Sequence, residues 1–140
     1  MHGKIKMQKS KVKMQNEKAK SKKEFKKEFN RRVIRFSLQV LKFCEKMKGK
    51  RMIWPIIDQL VRSATSIGAN VIEARSSSSK RDYLRFFEIA LKSANETKYW
   101  LILVKESQPE FKLEAEQLLK EVDEISRIIG ASILTLKGKK

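Results

Sequence analysis

The sequence predicts an all-α protein, an antiparallel up-down four-helix bundle behind a disordered, basic N-terminal tail. Three observations carry that prediction. Apolar residues recur at helical spacing in four separate stretches, and nowhere do they alternate with the period of a strand. The breaks between the stretches are short, which makes sequential helices antiparallel neighbours. Charge is uneven: residues 1–32 hold 13 Lys/Arg against 3 Glu, so +10 of the net +17 lies in the first quarter of the chain. At 140 residues the chain fits one domain, divided into a tail over residues 1–23 and a bundle over residues 24–137.

Residues 1–23 contain nine lysines, one acid and no aromatic residue. Such a segment buries too little apolar surface to offset its ordering entropy, so it reads as a disordered tail or a frayed helix. Helix one runs from about Lys23 to Lys48. Phe25, Phe29, Val33, Phe36, Val40, Phe43, Cys44 and Met47 share its core face, and Gly49 sits where a C′ residue would end it. A second apolar line, Ile34, Leu38 and Leu41, follows at i, i+4 and i+7. Between the two lines lie Arg31, Arg35, Lys42 and Lys46, a cationic stripe that Lys50 and Arg51 extend into the loop.

Helix two covers Trp54–Arg75, with Pro55 in its first turn. Ile57, Leu60, Val61, Ala64, Ile67, Gly68 and Val71 make its core arc, and Gln59, Ser63, Ser66, Asn70 and Glu73 make a small, polar second register. The serine turn 76–79 lacks the glycines of a phosphate loop, and Ser79 followed by Asp82 reads as a helix N-cap. Helix three has Tyr83, Phe87, Ala90, Leu91, Ala94 and Leu101 as its stripe. Phe86, Ile89 and Trp100 widen that stripe beyond what one bundle requires. Ser107-Gln-Pro-Glu110 has the pattern of a capping box for helix four, whose core line runs from Phe111 to Leu136.

Catalytic chemistry finds no support. The single histidine, His2, lies in the tail, so no Glu-x-x-His metal pair, zinc cluster or histidine-activated nucleophile can be assembled. No catalytic residue, metal or cofactor is expected. The lone Cys44 excludes an intramolecular disulfide, and the absence of a long apolar run or a signal-peptide core points to the cytoplasm rather than a membrane.

Two segments also resemble a known family. Gln59–Ala74 is similar to the Q-x-R-R-A-x-x-S-I-x-x-N-I-A-E-G signature of bacterial four-helix-bundle proteins encoded in 23S rRNA intervening sequences, through Gln59, Arg62, Ser66, Ile67, Asn70 and Glu73. Ser78–Leu101 resembles that family's second pattern through Lys80, Asp82, Tyr83, Phe86, Ala90, Ser93, Glu96 and Leu101. Ala74-Arg75 stands where the family has a glycine near the turn, and the basic tail is not a family feature. The resemblance implies a homo-oligomer, with pentameric rings as precedent, and relatives that serve as accessory proteins of diversity-generating reverse transcriptases.

The expected function is therefore a non-enzymatic, oligomeric helical module that binds nucleic acid, RNA favoured, through Arg31, Arg35, Lys42, Lys46, Lys50 and Arg51. Gln59, Arg62, Ser66, Asn70, Glu73, Ile89 and Trp100 are the expected interface or interhelical polar positions. The alternative is a scaffold or accessory subunit that docks a protein partner.

Overall fold

A computed structural model describes residues 2–138, with side chains from residue 7 onward. Of the tail, Met1 and the side chains of residues 2–6, the His2 imidazole among them, lie outside the described residues. The described residues are helical throughout apart from turns: α1 (His2–Glu45), α2 (Trp54–Arg75), α3 (Lys80–Ser107) and α4 (Lys112–Leu136). Short 3-10 turns at Arg51–Ile53 and Pro109–Phe111 lead into α2 and α4. The chain divides into two units, Met1–Arg32 and Val33–Lys140.

In the first unit the helix reaches back to His2, well before the expected start near Lys23. Lys, Gln, Met, Glu and Ala dominate this stretch and are good helix formers, with no proline to interrupt them. Every side chain from residue 7 to residue 28 is exposed. Phe25, placed in the core by its spacing, is 57% exposed, and burial begins with Phe29.

The second unit is the bundle, and its side-chain pairs give its directions. On α2 and α3, Ser63 pairs with Thr97 and Ser66 with Ser93, so one helix ascends as the other descends. Lys98 with Asp123 and Lys105 with Glu116 set α3 against α4 in the same sense. The Val33–Glu45 part of α1 meets α2 at Gly68, where an added Cβ would lie 3.6 Å from both the Ser37 hydroxyl and the Val33 carbonyl. Its end meets the start of α4 through an edge-to-face contact of Phe43 and Phe111, with ring centroids 6.0 Å apart. Phe36, Phe87, Leu60, Leu101, Ile67, Ile125 and Ile129 fill the centre.

The helix ends differ from expectation in instructive ways. Ser79 does cap α3, its hydroxyl accepting from the Asp82 N–H at 3.1 Å. The capping box at Ser107 does not form. Because α3 runs on through Ser107, that hydroxyl donates to the Leu103 carbonyl, and α4 starts at Lys112 without a side-chain cap. Gly49 is not a left-handed C′ residue, since Gly138 alone has positive φ among the described residues. Instead α1 closes at Glu45 through tighter bonds such as Met47 N–H to the Cys44 carbonyl.

Candidate nucleic-acid interface

The predicted cationic stripe runs along α1 and into the turn that follows it, and α4 together with the 3-10 turn before it answers part of it. Lys46 Nζ sits 2.7 Å from Glu114 and Lys50 Nζ 3.3 Å from Glu110, with Lys50 also 5.9 Å from the Phe111 ring. Arg35, Lys42 and Lys46 share a groove with Glu114 and Glu121. That groove has mixed charge rather than a uniform positive surface. Arg51 lies over the Trp54 ring at 5.6 Å, and the Trp54 indole donates to the Lys48 carbonyl, so the loop end is an ordered cation–aromatic corner. Arg31 belongs to the first unit, where it pairs with Glu28 one turn earlier.

The polar register of α2 has another destination. Ser63 and Ser66 face α3 inside the bundle. The Thr97 hydroxyl donates to Ser63 at 2.9 Å, and the Ser66 and Ser93 hydroxyls are 2.9 Å apart. Asn70 supports the pair from within α2, donating to the Ser66 carbonyl and hydroxyl. The small residues let two helices approach closely while every hydroxyl finds a partner. α3 thus covers the middle of the register, and Ser63 and Ser66 are interhelical polar positions of the bundle itself. Gln59 and Glu73 are exposed, and Arg62 pairs with Asp58 along its own helix. Ile89 is 37% exposed, whereas Trp100 is half-buried against Tyr99, its indole N–H enclosed without a partner.

Sequence reading missed two features. Lys98 reaches across to Ser126 at 2.9 Å and Asp123 at 3.2 Å. Hydrogen bonds from Arg127 and then Lys98 hold the Asp123 carboxyl below its usual range. Arg75 folds over the Tyr83 and Phe87 rings, at 5.6 and 5.2 Å, and thereby closes the α2–α3 turn. The only sequence signal for it was Arg75 standing where the resembling family has glycine. Among the described residues, no three His, Cys, Asp or Glu side chains form a group that could hold a metal ion. No described helix is long and apolar enough to cross a membrane.

The sequence profile of the 23S rRNA-intervening sequence protein family matches residues 26–131. The chain belongs to that family. The match takes in the whole α2–α3 seam and begins near the point where burial begins, leaving residues 1–25 outside the family region. A solved family relative, a protein of unknown function from the S23 ribosomal protein family of Bacteroides thetaiotaomicron, is 28% identical. It superimposes with a TM-score of 0.70 over 75% of this chain and 97% of its own. Among curated proteins, none matches. In this bundle Ser66 and Ser93, which lie in the two motif segments, are helix-packing residues.

Proposed function

We propose that this chain is a non-enzymatic, self-associating helical module of the cytoplasm that binds nucleic acid through its phosphates. The observation that carries the reading is the arm over residues 7–28, where lysines are abundant, exposed and free of any core duty. Neutralising phosphates with such residues releases condensed counterions, giving binding that is steeply salt-dependent and weakly sequence-selective. The stripe Arg31, Arg35, Lys42 and Lys46 adds less than its charge suggests, because Lys46 is committed to Glu114. The family's tie to 23S rRNA makes structured RNA the first ligand to try, and DNA offers the same phosphate chemistry.

Self-association is supported by Ile34, Leu38 and Leu41, which stand 49%, 54% and 44% exposed in one line on α1. Repeating the arm on each subunit would add weak contacts through effective concentration. Light scattering should give a mass several times 16.4 kDa, with a pentamer expected from the family precedent. Leu38→Glu should lower that mass without unfolding the subunit. A monomer at moderate salt would remove this part of the proposal.

Fluorescence anisotropy on labelled structured RNA and DNA across a salt series tests the binding. Deleting residues 1–23 should abolish most of the affinity and flatten the salt slope. The quadruple change R31Q/R35Q/K42Q/K46Q should flatten it less. Equal binding by the truncated and full-length chains would overturn the reading. The exposed apolar line would then favour the alternative, a scaffold or accessory subunit that docks a protein.

A further inference from the structure

Because residues 7–28 bury no side chain, no core dictates where their charges lie around the helix. Their placement is ordered all the same. At about 100° per residue, Lys9, Lys13, Lys20 and Lys27 fall within an arc of about 40°. Lys11, Lys18 and Lys22 fall within a second arc of about 40°, on the opposite side of the axis and within the span of the first. All of these lysines are exposed, and none is ion-paired among the described residues.

The two flanks between the stripes differ. One holds Gln8, Val12, Gln15 and Ala19, with Lys23 and Lys26 toward its end; the other holds Ser10, Glu17, Ser21, Glu24 and Glu28, with Met7, Met14 and Phe25 at its edge beside the second stripe. The acids are thus confined to one flank. A helix lying on a single row of phosphates would use one stripe and leave the other idle.

We propose that the arm is a groove-binding helix for B-form duplex DNA. It sits in the major groove with one lysine stripe toward each phosphate strand, the Gln8–Val12–Gln15–Ala19 flank toward the base edges and the acidic flank toward solvent. The inference rests on the nucleic-acid reading above and adds the class of duplex and the way the helix is seated. Dimensions support it: a helix with its side chains is about 10–12 Å across, and the B-form major groove is about 12 Å wide. The first stripe runs about 27 Å and the second about 17 Å along the axis, enough for several phosphates on each strand. The A-form major groove is deep and narrow and excludes such a helix, so a regular RNA duplex cannot engage both stripes. Turning Glu17, Glu24 and Glu28 outward avoids like-charge repulsion. Glutamines and small apolar residues are the side chains that approach adenine edges and thymine methyls closely, so a mild sequence preference accompanies the phosphate contacts.

The test uses the full chain with a fluorescent mixed-sequence DNA duplex of about 20 base pairs, the RNA duplex of the same sequence and the single strand, each across a salt series. With a slope of about −0.9 per neutralised phosphate, K9Q/K13Q/K20Q/K27Q should reduce the DNA slope by about 3–4 and K11Q/K18Q/K22Q by about 3. The decisive variant keeps composition and net charge: S10K/K11S/E17K/K18E/S21K/K22S moves the second stripe onto the outward flank. It should bind DNA with the reduced slope of the three-glutamine variant. If it binds DNA as the wild type does, charge count alone matters and the seat is wrong. RNA duplex bound as tightly as DNA also overturns the seat, while leaving nucleic-acid binding in place. No binding to any probe removes both.

Discussion

Between Phe29 and Glu45, α1 buries Phe29, Val33, Phe36, Val40, Phe43 and Cys44; between Met7 and Glu28 it buries nothing. The later stretch is helical because one face is removed from water, at about 25 cal/mol for each Å² of apolar surface. The earlier stretch is helical by residue propensity, which alone makes helices only marginally stable in water. Charges behave differently in the two regions as well. In the bundle, cations find acids on neighbouring helices, as Lys46 finds Glu114 and Lys98 finds Asp123. On the arm neither lysine stripe is ion-paired among the described residues. Packing therefore matches part of the bundle's positive charge with its own acids, as at Lys46 and Lys98.

The contrast can be broken most strongly from the core side. Phe36→Ala should cost about 3–5 kcal/mol, because Phe36 is fully enclosed and its removal leaves a cavity. Chemical denaturation would show a lower midpoint at unchanged slope, and a loss below about 1 kcal/mol would mean the core relaxes far more than this packing suggests. Ser66→Leu should cost about 1–3 kcal/mol by overfilling the α2–α3 seam and stranding Ser93. If it instead proves neutral by thermal melting, the close approach of those helices is not needed.

A smaller effect follows from Cys44, whose thiol burial pushes up to about 11 from 9.0. The folded state keeps the proton that the unfolded chain releases first. Stability from this group is therefore constant below about pH 9 and falls as pH rises toward 11. At pH 10 the loss is on the order of 1 kcal/mol. Melting curves of Cys44→Ala should lack this component of the alkaline decline, and parallel curves for the two proteins would refute it.

The smallest effect sharpens the comparison from the other side. Deleting residues 1–23 should change bundle stability by less than about 0.5 kcal/mol, since no removed side chain is buried among those described. A large fall in melting temperature would show that the arm contributes to the fold.

Periodicity along one chain sufficed for the four helices, for most of the core and for the Ser79 cap, because each depends on residues within one or two turns of one another. It also sufficed for the family, whose motif residues lie close together in sequence. It failed for Phe25, which continues the core spacing but is 57% exposed. It failed for the Ser107 capping box, where the pattern was present but α3 had not yet ended. The candidate site was harder still. That Ser63 and Ser66 meet Thr97 and Ser93, and that Lys46 and Lys50 meet Glu114 and Glu110, depends on how two helices are rotated and how far one is slid along the other. Rotation and slide are set by the whole core at once. A pattern on one helix shows that a face needs a partner, and only the tertiary structure decides which helix supplies it.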